Sequence, residues 1–184
     1  MDLTEPFRNA FDFVARTVAG VNPDQLSRPT PCTEWDVRAL AEHLVNGQLR
    51  LTAVAAGDAA MPEPITMDDP AAAAAAIRAT APRAAATWAA PDALDRTLTV
   101  PWGTSTGRAI RDIQFLELCS HGWDLARATD QPTDLDDATV GVAFEIVRGR
   151  LTDDRRGGAF KPAQPVAADA PAFDQLLAFM GRTV

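Results

Sequence analysis

Apolar residues recur along most of this chain at intervals of three and four, the spacing that lines one face of an α-helix. Phe7, Phe11, Val14 and Val18 make the first such row, with Glu5 and Pro6 in its opening turn after Thr4 and Gly20 at its end. They predict a core-facing helix from Thr4. From Val21 to Cys32 three prolines, with Asn22, Asp24, Ser27 and Thr30, break any regular element and read as an ordered loop. Thr33-Glu34-Trp35-Asp36 has the form of a capping box, Thr33 as N-cap and Asp36 reaching back. It launches a second helix on which Leu40, Gly47 and Leu51 are spaced around His43.

After Gly57 a polar, Pro-bearing connection from Asp58 to Asp69 is long enough to cross from one end of a bundle to the other. Pro70 then starts an alanine-rich helix running to about Ala90, anchored by Ile77 and Trp88, which Pro82 should kink or split. Leu98 to Gly107 reads as a short β-hairpin with Gly103 near its tip. A helix from about Arg108 to Ala128 follows, stopped by Asp130-Gln131-Pro132. The next runs from about Asp136 to Leu151 with Val140, Phe144 and Val147 inward, and a loop from Asp153 to Pro165 contains Gly157-Gly158. A last helix, about Ala172 to Gly181, presents Phe173, Leu176, Leu177 and Met180. The expected fold is mainly α, a four-helix bundle with extra terminal helices and one short hairpin.

At 184 residues the chain suits one well-buried domain, residues 1–184. The formal net charge of −8 and the absence of any Lys/Arg run argue against a nucleic-acid partner, which needs a concentrated basic surface. No apolar run approaches the roughly 20 residues that span a bilayer, and Met1 to Pro6 lacks the basic-then-apolar order of a secretion signal. A cytoplasmic protein without membrane contact is expected. Its two cysteines, Cys32 and Cys119, should be reduced thiols there.

The chemistry lies with two histidines and a glutamate. His121 follows Glu117 by four residues, so on a helix both share a face with Ile110, Ile113 and Leu125, the stripe expected to point into the core. Burying them unpaired would be costly. A shared divalent cation removes that cost, because a carboxylate oxygen and a neutral imidazole nitrogen are both good zinc ligands. Each piece has a plainer reading: a lone buried histidine bonded to a carbonyl, or a buried Glu117–His121 ion pair. His43, on a separate amphipathic helix, tips the balance to metal. His43, Glu117 and His121 with a vacant fourth position match a catalytic or ligand-binding zinc, closed structural sites being richer in cysteine. Nickel, cobalt, iron and manganese accept the same donors.

Neighbouring residues are read more plainly. Cys119, two residues from both Glu117 and His121, points away from their face and is not counted as a ligand. Cys32 precedes the first turn of the His43 helix, where a thiol of lowered pKa is one reading and a buried apolar thiol the commoner one. Asp124, one turn beyond His121, could orient a ligand from behind. An exposed pairing with Arg127, three residues on, is the more frequent fate of a helix aspartate, so Asp124 is left outside the site. Trp35, Trp102 and Trp123 could line a pocket, though packing is what tryptophan more often does.

The stretches Arg28-Pro-Thr-Pro-Cys-Thr-Glu-Trp-Asp-Val37, Glu42-His43-Leu44 and Glu117-Leu-Cys-Ser-His121-Gly-Trp-Asp-Leu-Ala126, with the C-terminal Phe173 to Arg182, resemble the mycothiol-dependent maleylpyruvate isomerase family. That family lies within the DinB-like metalloprotein superfamily, and the resemblance spans essentially the whole chain. It implies a DinB-like bundle with a divalent ion, commonly zinc, held by one histidine on the second helix and by a glutamate and a histidine four apart on a later one. Those roles carry over to His43, Glu117 and His121. It also implies a low-molecular-weight thiol, mycothiol or an analogue, and an isomerase or S-transferase in which the ion lowers the thiol's pKa beside an electrophilic substrate. The isomerase itself has an additional C-terminal domain that contributes to its active site, whereas this chain ends at Val184, which weighs against isomerisation. Many short members are known only as metal-binding proteins.

Two functions therefore stand side by side. One is a divalent-metal protein, with zinc first, acting as a thiol-dependent S-transferase or isomerase on an electrophilic small molecule. The other is a non-catalytic metal- or thiol-binding helical module. The oligomeric state is left open, a homodimer included.

Overall fold

Four of the described α-helices begin where a side chain takes up one of their first free N–H groups. The computed structural model describes residues 2–152, 156–157 and 161–184, and within them the helices are α1 (Thr4–Ala19), α2 (Val37–Ala56), α3 (Pro70–Ala89), α4 (Gly107–Ala128), α5 (Asp137–Arg150) and α6 (Ala172–Phe179). Asp36, Asp69, Thr106 and Asp136 cap α2, α3, α4 and α5, each accepting from the backbone N–H three residues on. Gly57, at φ 78°, ends α2 in the left-handed conformation that glycine adopts without strain.

Two expectations at these helices are corrected. The N-cap of α2 is Asp36 itself, with Oδ1 accepting the Ala39 N–H at 2.8 Å, and no capping box forms at Thr33. Asp36 caps as well as threonine and directly precedes Val37, the first buried residue of the helix. Residues 29–36 instead fold back as a tied turn: Pro29 and Asp36 form an isolated antiparallel bridge, and the Thr30 hydroxyl reaches the Cys32 and Trp35 carbonyls at 3.0 and 2.8 Å. Pro82 does not split α3, which runs through it. Both Pro82 and Arg78, whose carbonyl loses its helical partner, are on the exposed flank, where water can satisfy the freed oxygen.

Contacts run α1 to α3, α3 to α2, α2 to α4 and α4 back to α1, closing a four-helix bundle around one core. α5 lies against α1 and α4, and α6 packs on α5. The hairpin β1 (Thr97–Val100) and β2 (Gly103–Thr106) pairs Thr97 with Thr106 and Val100 with Gly103, turning through Pro101-Trp102. Leu98 and Val100 face the core, and the hairpin contacts α2 and α4. Of the loop expected from Asp153 to Pro165, residues 153–155 and 158–160, Gly158 among them, lie outside the described residues.

α4 is the central helix, with neighbours on almost every side. Ile110, Phe115, Leu118 and Leu125 are fully buried, and a Cβ on Gly122 would stand 2.8 Å from the Phe13 ring of α1. Its least buried flank is the one carrying Ile113 and Glu117, which corrects the expectation that this stripe points wholly into the core. The core is filled by the rest of the helix, so that flank is free to open outward.

Candidate metal centre

Glu117 is the hinge of the site. Its Oε2 lies 3.0 Å from His43 Nε2, across the interface between α2 and α4, and 3.5 Å from His121 Nε2, one turn further along α4. One donor atom from each of the three residues falls within 4.8 Å of the other two. The side chains differ in exposure: 39% for His43, 34% for Glu117 and 9% for His121. The cluster is therefore anchored inside and open at its rim.

His43 is not on the inner face of α2 as the sequence suggested. Leu40, Leu44 and Leu51 fill the core, and His43 falls beside that row. Its ring lies against Trp35, centroids 4.3 Å apart, and Trp35 is 5.6 Å from His121. The tied turn of residues 29–36 thus supplies an aromatic wall to both imidazoles. Of the other tryptophans, Trp102 stands exposed at the hairpin tip, and Trp123 is buried with its Nε1–H donating to Asp174 at 3.2 Å.

Asp124 was expected at the surface with Arg127, and the structure corrects this. It is fully buried, with Oδ2 at 3.0 Å from His121 Nδ1 and 2.9 Å from Arg182 Nη2, and Oδ1 at 3.3 Å from Arg182 Nε. The reason is the crowding of α4: with neighbours nearly all round, the position three beyond His121 has no route to solvent. Arg127 instead places its guanidinium 5.5 Å from the Trp123 ring centroid. The spacing of Asp124 from His121 was a visible signal. Nothing local announced Arg182, 58 positions away.

These contacts set the electrostatics. Burial pushes the Glu117 carboxyl up, but the hydrogen bond from His43, the neighbouring His121 and His43 rings and the Arg182 guanidinium together outweigh it and hold it below the usual carboxylate range. Asp124 follows the same pattern: burial raises it, and the hydrogen bonds from His121 and Arg182 bring it below its ordinary value. Cys32 forms a second cluster of potential donors with His121 and Asp124, its thiol pushed up by burial and by the Asp124 charge. Cys119 is fully buried, and burial drives its thiol pKa far above the ordinary value.

The fold and this cluster define a class: a mainly helical bundle with a His-Glu-His group bridging two of its helices. The family model of the mycothiol maleylpyruvate isomerase N-terminal domain matches residues 7–126, a span that includes His43, Glu117, His121 and Asp124. Two uncharacterized proteins, from two strains of Mycobacterium tuberculosis, are each 35% identical over 186 residues, covering 100% of this chain and 100% of theirs. No solved structure matches the chain. The chain belongs to the mycothiol maleylpyruvate isomerase N-terminal domain family. Among the described residues no helix is long and apolar enough to cross a membrane.

Proposed function

We propose that the chain is one metal-binding helical domain that holds a divalent ion, zinc first among the candidates, on His43, Glu117 and His121. The observation that carries this reading is the convergence of two imidazole nitrogens and a carboxylate oxygen within 4.8 Å, from helices whose contributing residues are 74 positions apart. Two nitrogens and one oxygen suit zinc, and nickel, cobalt, iron and manganese also accept them. Three protein donors at a rim that is one-third exposed leave a coordination position for an outside ligand, as in reactive rather than closed sites.

The name of the matching family supports a low-molecular-weight thiol, mycothiol or an analogue, as such a ligand. A bound divalent ion would supply charge that lowers the pKa of a thiol at this rim. The chain's own residues would do the rest: His121 is anchored from behind, Glu117 ties the two helices together, and Trp35 walls the approach beside His43. A thiol-dependent S-transferase or isomerase is the enzymatic form of this proposal, and a metal- or thiol-binding module is its non-catalytic form. Two cysteines that form no disulfide suit a cytoplasmic location.

The 3.0 Å approach of His43 to Glu117 is also what a metal-free ion pair would give. Elemental analysis of the purified protein beside a His43→Ala variant separates the two. Stoichiometric metal that is lost in the variant supports the site, and a wild type that carries and takes up none leaves the ion pair. Turnover of electrophiles that needs both ion and thiol would then select the enzyme over the module.

A further inference from the structure

We infer that Arg182 and Asp124 are positioning residues that hold His121 in its Nδ1–H tautomer, so that the Nε2 lone pair is turned toward Glu117 and His43. The consequence for an ion rests on the proposed metal site; the tautomer itself does not. Asp124 is fully buried and both of its oxygens are engaged. A carboxylate only accepts hydrogen bonds, so the ring nitrogen 3.0 Å from Oδ2 must carry the proton. Neutral imidazole then has its free lone pair on Nε2, the atom 3.5 Å from Glu117 Oε2.

Arg182 is what allows Asp124 to play this part. The only other side-chain partner of this carboxylate among the described residues is His121 itself, so without the guanidinium nothing would fix its plane, and Oδ2 could turn away from Nδ1 and leave the ring without its acceptor. The guanidinium meets it with two nitrogens, Nη2 to Oδ2 at 2.9 Å and Nε to Oδ1 at 3.3 Å, the forked geometry that lysine does not have. The chain makes a specific turn to bring Arg182 there. After α6, Gly181 adopts φ 95° with its α-carbon facing the Lys161 carbonyl, which a Cβ would approach to 2.7 Å, and the Arg182 N–H donates to Leu177 at 2.9 Å. The chain end thereby reaches the back of the candidate site, outside the span matched by the family model.

The test uses the full chain labelled with ¹⁵N and freed of metal. Long-range ¹H–¹⁵N correlations of the His121 ring are recorded for the wild type, Asp124→Asn, Arg182→Gln and Arg182→Lys, and zinc affinity is titrated in parallel. Recorded at a pH where the ring is neutral, the expected wild type is the single Nδ1–H form, with mixed tautomers in Asp124→Asn and Arg182→Gln and a partial return in Arg182→Lys. Zinc affinity should fall about 10- to 100-fold in the first two variants, the usual effect of losing such a partner. An Nε2–H wild type, or variants that keep both its tautomer and its affinity, would overturn the inference. Should Arg182→Gln not fold, Arg182→Lys carries the comparison, and a lysine variant identical to wild type in both readouts refutes the forked clamp. A wild type with the expected tautomer that binds no zinc sinks the metal site while supporting the clamp.

Discussion

Gln114 shows how a single buried side chain can hold three elements of this bundle. Its Oε1 accepts the Trp88 Nε1–H of α3 at 2.8 Å, and its Nε2 donates to the Thr52 hydroxyl at 2.9 Å and to the Gln48 carbonyl at 3.3 Å, both on α2. A Gln114→Leu substitution keeps the volume and strands the Trp88 N–H in the core. The expected cost is about 1–3 kcal/mol, the penalty for one buried donor without a partner, to be read as a lower urea midpoint at unchanged slope. At the candidate site, a Trp35→Ala substitution removes the ring against His43 without touching a proposed donor. It should weaken zinc affinity less than His43→Ala does, and a metal titration of the two variants side by side tests that order.

Helix ends and helix crossings carry the element-scale predictions. Asp136 caps α5 through the Thr139 N–H at 2.9 Å and also accepts from Asn9 of α1 at 3.0 Å, so one carboxylate both starts a helix and ties it to its neighbour. Burial raises the Asp136 carboxyl, and the hydrogen bonds from Thr139 and Asn9 together outweigh it and bring it below its ordinary value. A depressed carboxylate stabilises the fold above the unfolded pKa, about 3.9, and loses that contribution as pH falls through the folded value. Asp136→Ala should therefore cost about 1 kcal/mol at pH 7, with the gap to wild type closing below about pH 4. Urea melts at several pH values check both halves of that statement. Where α4 crosses α1, Gly122→Ala would press a methyl group against the Phe13 ring and Val14, and about 1–3 kcal/mol of destabilisation is expected from thermal melts.

For the molecule as a whole, a ligand that binds only the folded state must raise its stability. With free zinc at about 100 times its dissociation constant the gain is about 2.7 kcal/mol. At about 2–4 °C per kcal/mol for a domain of this size, the melting temperature should rise by roughly 5–11 °C. His43→Ala should remove most of that rise, because its nitrogen is the donor that α2 contributes. An equal rise in both proteins would mean that the ion sits elsewhere. A calorimetric scan with and without zinc decides between them.

What the sequence determined by itself is what acts within a turn or two of backbone. The three- and four-residue rows specify the helices, Gly103 places the hairpin turn, and the spacing of Glu117 and His121 puts them on one flank of α4. Tertiary structure alone decided which flank that is. The close packing of α4 against α1, α2 and α5 buries Asp124, leaves Glu117 at an open rim and sets His43 beside the core row of α2 rather than within it. It also brings Arg182 across 58 positions to Asp124 and Trp35 across the tied turn to His43. Side-chain periodicity records the geometry of one helix; which partner a buried charge meets depends on what the neighbouring helices leave room for.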